Sequence, residues 1–141
     1  MISKYRLPGA LGTASAAIAL SLFVGLAAAA DLKLSGDNEV PPVKTAASGS
    51  GVITVASDGA VSGSVKTTGV DGTMAHIHSG AAGSNGPVII PLTKGADGTW
   101  TVPAGAKLND EQMKSYKAGG LYVNVHSEAN KGGEVRAQLM P

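Results

Sequence analysis

The stretch "MAHIHSG", residues 74–80, carries His76 and His78 two positions apart. The chain has three histidines in all, and the third, His126, lies in a similar stretch, "YVNVHSE". Two imidazoles at i and i+2 of a strand start about 6.5 to 7 Å apart at Cα. They can converge on one ion held about 2.0 to 2.1 Å from each ring nitrogen. A third imidazole from a neighbouring strand would complete a three-nitrogen site with an open position. Imidazole ligation without thiolate suits copper or zinc, and Cu(II) binds a comparable site more tightly. The other reading of the same residues is three solvated or hydrogen-bonded histidines with no shared role.

Strand alternation favours the shared site, because side chains change face at every residue. In "MAHIHS", Ala75 and Ile77 take one face and His76 and His78 the other. In "GLYVNVHS", Leu121, Val123 and Val125 form the apolar face, and Tyr122, Asn124 and His126 the polar one. In "GEVRAQL", Val135, Ala137 and Leu139 oppose Glu134, Arg136 and Gln138. One register thus predicts all three histidines and Arg136 on outward faces, off the core.

The elements that must carry these residues are short strands between Gly, Asp and Asn. "DLKLSG", "GVITVAS", "GAVSGSVKTTG", "TMAHIHS", "PVIIPL", "TWTV", "GLYVNVHS" and "GEVRAQL" are the strand candidates. They predict an all-β, Greek-key-like sandwich or barrel of about eight strands. One segment departs from this pattern. "LNDEQMKSYKAGG" has Asn109 or Asp110 as a cap, acids early, Lys114 and Lys117 late, and Gly119-Gly120 as a stop. It predicts one short helix over about residues 110–118, with Leu108, Met113 and Tyr116 as its apolar side. "NEVPPVKTAASG" is an extended stretch that prolines keep from being a central strand throughout.

Residues 1–30 follow different rules. Lys4 and Arg6 precede the apolar run "AAIALSLFVGLAAAA", which ends in Ala28-Ala29-Ala30 before polar Asp31. A basic start, an apolar run and small residues at the end form a secretory signal peptide. A membrane anchor is the competing reading. The strongly apolar part falls short of the roughly 20 residues a spanning helix needs, and no basic stop-transfer cluster follows it. We therefore expect a signal peptide over 1–30, one mature domain over 31–141, no membrane span after cleavage, and a periplasmic or secreted location. Loss of Lys4 and Arg6 takes the formal charge from +1 to −1. That charge gives no reason to expect nucleic acid as a partner. With no cysteine, thiolate chemistry, disulfides and a lipid-modified N-terminal cysteine are excluded, so the domain must hold together by its core.

The segments "GDNEVPPVKTAASGSG", "AHIHSGAAGSNGPVIIPL" and "GGLYVNVHSEANKGGEVRAQL" resemble the CHRD domain, first described as a repeat in chordin and widespread in bacterial secreted proteins. The resemblance runs from about Leu32 to Leu139 and implies little chemistry. The growth-factor antagonism of chordin does not transfer to a single secreted domain. A fainter resemblance implies more. "GSVKTTGVDGTMAHIHSG" is similar to the part of Cu/Zn superoxide dismutases that ends in a copper-binding His-x-His pair. "VNVHSEANKGGEVRAQL" is similar to their C-terminal region, where another copper histidine precedes a Gly-rich loop and an arginine. The resemblance implies His76, His78 and His126 as copper ligands and Arg136 as the residue that guides the anion. The bridging histidine, the zinc ligands and the disulfide have no counterpart; Asp71, Glu39 and Glu128 lie nearest the motifs without metal-ligand spacing.

Three functions remain open at this point. One is a copper-type metalloprotein, with zinc as the alternative metal, that could dismute superoxide with Arg136 attracting the substrate. The alternative for Arg136 is a surface ion pair with Glu134 or Glu128. The second function is metal buffering without turnover. The third is a non-catalytic β-module for adhesion or protein contact. A serine hydrolase is disfavoured, since no nucleophile elbow or oxyanion loop is visible. If the leader reading holds, the intact mass of the exported protein begins at or near Asp31; a dominant full-length, membrane-embedded species would show that reading to be wrong.

Overall fold

The computed structural model describes residues 27–141, so most of the expected signal peptide lies outside the described residues. β-Branched and aliphatic residues alternate with polar ones through most of the chain, and these runs form the strands. They are β1 (Ala28–Ser35), β2 (Ser48–Val55), β3 (Val61–Thr68), β4 (Gly72–Ser79), β5 (Val88–Pro91), β6 (Thr93–Lys94), β7 (Thr99–Thr101), β8 (Leu121–Ser127) and β9 (Val135–Leu139). All pair antiparallel in one sheet of order β5-β4-β8-β9-β1-β2-β3-β7-β6.

The sheet nearly closes on itself. Leu92 alone separates β5 from β6, and its N–H donates to the Ala75 carbonyl of β4 at 2.9 Å. β5 and β6 are therefore one broken line, paired with β4 at one end and β7 at the other. The nine segments take eight places around a barrel, as expected, and β6 is the piece that composition did not reveal. The seam between β1 and β9 has Ser35 and Arg136 as its single register pair. β1–β2–β3 is a meander, whereas β3 to β4 and β7 to β8 each skip two places in the ring. Those two crossings are the Greek-key element. They make β4 and β8 neighbours, although β7 and the helix intervene in the chain.

The interior belongs to the apolar set of each strand. Leu34, Ile53, Val65, Ala75, Ile77, Trp100, Leu121, Val123, Val125, Val135 and Leu139 are all buried in one cluster. The helix α1 (Asp110–Lys117) matches its sequence signals closely. Asn109 is the cap: its side chain accepts from Gln112 N–H at 2.8 Å while Gln112 Oε1 accepts from Asn109 N–H at 2.9 Å. This reciprocal box satisfies two of the free donors at the helix start. Tyr116 is buried, Met113 packs against the core, and Gly119 ends the helix at φ 74°. Ala28, Ala29 and Ala30 pair through their backbone with Val55, Thr54 and Ile53, so cleavage after Ala30 would leave Asp31–Ser35 of β1.

Trp100 fills the closure between β3 and β6, packed against Gly72 of β4. Trp100→Ala is expected to lower the unfolding free energy by about 3 to 5 kcal/mol, the range for a buried aromatic lost from a core. Urea denaturation of both proteins measures it, and a loss below about 1 kcal/mol would mean that the closure does not depend on this ring.

Candidate metal centre

β4 and β8 lie side by side with His78 opposite Tyr122, His76 opposite Asn124 and Met74 opposite His126. Because Ala75 and Ile77 enter the core, His76 and His78 must take the other face. The same holds on β8, where Val123 and Val125 enter the core and Tyr122, Asn124 and His126 do not. The expected convergence occurs. His76, His78 and His126 each offer one ring nitrogen, and these three atoms lie within 4.8 Å of one another. The group can hold a metal ion.

The hydrogen bonds decide which nitrogens are available. His78 Nδ1 lies 2.9 Å from the Gly86 carbonyl, and His126 Nδ1 lies 2.8 Å from the Lys131 carbonyl. A carbonyl only accepts, so both Nδ1 atoms carry the hydrogen and both Nε2 atoms present lone pairs. His78 Nε2 is buried with no hydrogen-bond partner among the protein atoms. His126 Nε2 lies 3.0 Å from His76 Nδ1 and accepts its hydrogen. His76 would therefore ligate through Nδ1, after moving its proton to Nε2. Backbone carbonyls that fix the tautomer and ring angle are the usual support of metal-binding imidazoles.

Electrostatics keeps His76 and His78 in the ligating form. Burial, and then the neighbouring charges of His126 and His78, hold His76 below its ordinary value of 6.5. Burial also lowers His78, partly offset by the Gly86 hydrogen bond. Neutral rings at neutral pH bind a cation without first losing a second proton.

The face is off the core as expected, but most of it is not open to water. His78 and His126 are each 7% exposed, and Arg136 only 1%. The chain on either side of Glu39 and the loop over residues 80–87 cover it. This corrects the expectation of an outward, solvent-facing arginine. Arg136 donates to the Ala81 and Ser84 carbonyls at 3.1 and 2.8 Å, to Asn85 Oδ1 at 3.3 Å and to Gln138 Oε1 at 3.4 Å. Its guanidinium carbon lies 3.4 Å from the centroid of the Tyr122 ring. Tyr122 in turn stacks on His78, with ring centroids 4.7 Å apart and planes 2° from parallel. Neither alternative ion pair forms: Glu128 pairs with Lys131 at 3.8 Å, and Glu134 accepts from Thr45, Ser127 and Asn130. Asp71 pairs with Lys94, away from the histidines.

Residues 31–139 match the CHRD domain family. The chain belongs to that family. No curated protein and no solved structure matches it. The CHRD motifs quoted above thus supply the parts of one place: "AHIHSGAAGSNGP" gives the histidine pair and its covering loop, and "YVNVHSEANKGGEVRAQ" gives His126, its carbonyl support and Arg136. Gly86 has no space for a side chain, because the Ser79 carbonyl occupies the Cβ position. Gly133 stands at φ 126°, and a Cβ there would strike Glu39 Oε1 and Asn124 Nδ2.

Glu39 is the member that strand patterning did not reveal, since it comes from the proline-containing stretch. It is 4% exposed, and its Oε1 has no hydrogen-bond partner among the protein atoms. Burial raises it from 4.5 to about 7, against partial lowering by a hydrogen bond from Asn124 and the charge of Arg136. Between those values the folded chain keeps a proton that the unfolded chain releases. The stability from Glu39 is therefore complete below pH 4.5 and is lost as pH rises through about 7. The depressed histidines act in the opposite direction, losing their contribution as pH falls through their folded values, so a difference between variants isolates Glu39. Relative to Glu39→Gln, the wild type is expected to lose roughly 2 to 3 kcal/mol between pH 4.5 and 8. Parallel pH profiles from denaturant melts would refute the assignment.

Proposed function

We propose that this CHRD domain is an exported copper-binding protein whose site is made by His76, His78 and His126. The observation that carries the reading is the convergence of three ring nitrogens, two of them on imidazoles oriented by backbone carbonyls. Three imidazoles without thiolate fit copper and zinc, and copper is the more tightly held metal at such a site. The leader pattern of residues 1–30 supports export, to the periplasm or beyond. Among the described residues, no helix is long and apolar enough to cross a membrane.

A three-imidazole copper site can accept and return one electron, which is the requirement for superoxide dismutation. The burial of Arg136 favours binding without turnover as the primary role. Its guanidinium is held by loop acceptors and offers little to an arriving anion. In either role Arg136 holds the loop that carries the Gly86 carbonyl, and so acts on His78 at second hand. Adhesion or protein contact, the third possibility raised by the sequence, needs no such convergence of ring nitrogens.

Titration of the mature domain with Cu(II) and Zn(II), each against a chelator of known affinity, tests the reading. One equivalent of copper is expected to bind, more tightly than zinc. His126→Ala should weaken it by more than the about 10- to 100-fold that loss of a hydrogen-bond partner of a metal ligand costs. Copper binding equal in the wild type and in a triple His→Ala variant would overturn the site. Pulse radiolysis of the copper-loaded domain then decides turnover: a superoxide decay rate no faster than that of the copper-free domain assigns the protein to binding alone.

A further inference from the structure

A fourth side chain shares the histidine face and is left half exposed by the fold. Met74 lies two residues before His76 on β4, on the side opposite Ala75, and directly across from His126 on β8. Directly opposed residues in antiparallel strands place their Cβ atoms about 4.5 to 5.5 Å apart. Met74 is also 52% exposed, one of four large apolar residues in that state among the described residues. Val52, Val88 and Met140 are the others; Val88 lies opposite His78 in the β4–β5 register but has no donor atom, and neither Val52 nor Met140 is paired with a histidine. The register between β4 and β8 shifts just before Met74, between Gly72 and Met74. Irregularities of this kind re-aim a side chain.

We propose that Met74 is a fourth, thioether ligand that gives the centre its hold on Cu(I); the proposal rests on the copper reading above. Imidazole serves both oxidation states of copper, whereas the soft sulfur of methionine selects Cu(I). Methionine is unbranched with three rotatable bonds, so its sulfur can swing from solvent onto an ion held beside His126 and His76. The thioether carries no proton, so its bond to the metal forms without proton release. The position also sets the direction of approach. His78 lies at the buried end of the group under the residue 80–87 loop, and Met74 at the exposed end. A cuprous ion arriving from solvent meets the sulfur first and the imidazoles next.

Anaerobic competition for Cu(I) against bicinchoninate, with Cu(II) and Zn(II) titrations in parallel, tests this in the mature domain. Met74→Leu keeps size and apolarity at an exposed position and is expected to leave folding intact. It should weaken Cu(I) binding by about 10-fold or more and change Cu(II) and Zn(II) binding by less than about 3-fold, given that a single supporting group at a metal site is worth 10 to 100-fold. Met140→Leu, a second exposed methionine, should change none of the three. X-ray absorption of the Cu(I) form should show one sulfur neighbour in the wild type and none in Met74→Leu. Equal Cu(I) affinity in wild type and Met74→Leu, with nitrogen neighbours alone in both, would overturn the role of Met74 and leave the histidine site standing. Copper bound no better by wild type than by the triple His→Ala variant would overturn both.

Discussion

A guanidinium stays charged at any accessible pH, and burying it without partners is prohibitively costly. Arg136 is nearly completely buried on the polar side of β9, so acceptors must come to it. They come from the loop over residues 80–87, through two carbonyls and the Asn85 side chain, with Gln138 beside them. Gln138 also ties this loop to the end of the helix by donating to Gly80 and Gly119 carbonyls, each at 2.8 Å. Asn85 extends the network to the Val40 carbonyl at 2.7 Å. Much of the architecture around the histidines follows from satisfying one buried cation.

The consequence for chemistry is that the loop carries Gly86 to a defined place. Its carbonyl accepts from His78, and its N–H donates to the Tyr122 hydroxyl at 3.1 Å. Tyr122 then lies between an imidazole from β4 and a guanidinium from β9, in contact with both. A cation over a partly desolvated aromatic face contributes about 1 to 2 kcal/mol. On the other side, Glu134 gathers Thr45, Ser127 and Asn130, which orders the β8–β9 turn and with it the Lys131 carbonyl that orients His126. Burial pushes Glu134 up, yet its hydrogen bonds from Ser127, Asn130 and Thr45 outweigh that and hold it below its ordinary value. It thus remains a charged acceptor at neutral pH. Two separate polar networks, one cationic and one anionic, each orient one histidine.

His76 alone lacks a carbonyl partner. Its Nδ1 meets His126 Nε2 across 50 residues of sequence. One hydrogen therefore serves two nitrogens that are both potential ligands, and this hydrogen-bonded pair lies beside His78 Nε2, which no protein atom partners. Among the described residues, no carboxylate joins the three imidazoles to neutralise a divalent ion. The arrangement suits a cation whose affinity comes from nitrogen donation rather than from opposite charge.

The local properties of the chain were legible without coordinates. Period-two alternation put His76 and His78 on one face of β4 and His126 on the polar face of β8. Asn109, the early acids and Gly119-Gly120 bounded the helix. Turn residues marked out eight of the nine strands. Each of these depends on residues a few positions apart, and backbone geometry converts such patterns into direction. The Greek-key crossings made β4 and β8 neighbours and set Met74 across from His126, while the β1–β9 join brought Glu39 from a proline-containing stretch to Arg136 and Asn124. They also decided that the polar face lies under loops rather than in water, which is where the expectation for Arg136 departed from the structure. Alternation states which way a side chain points relative to its own strand. Whether that direction meets solvent depends on what distant chain covers it, and only the folded barrel determines that.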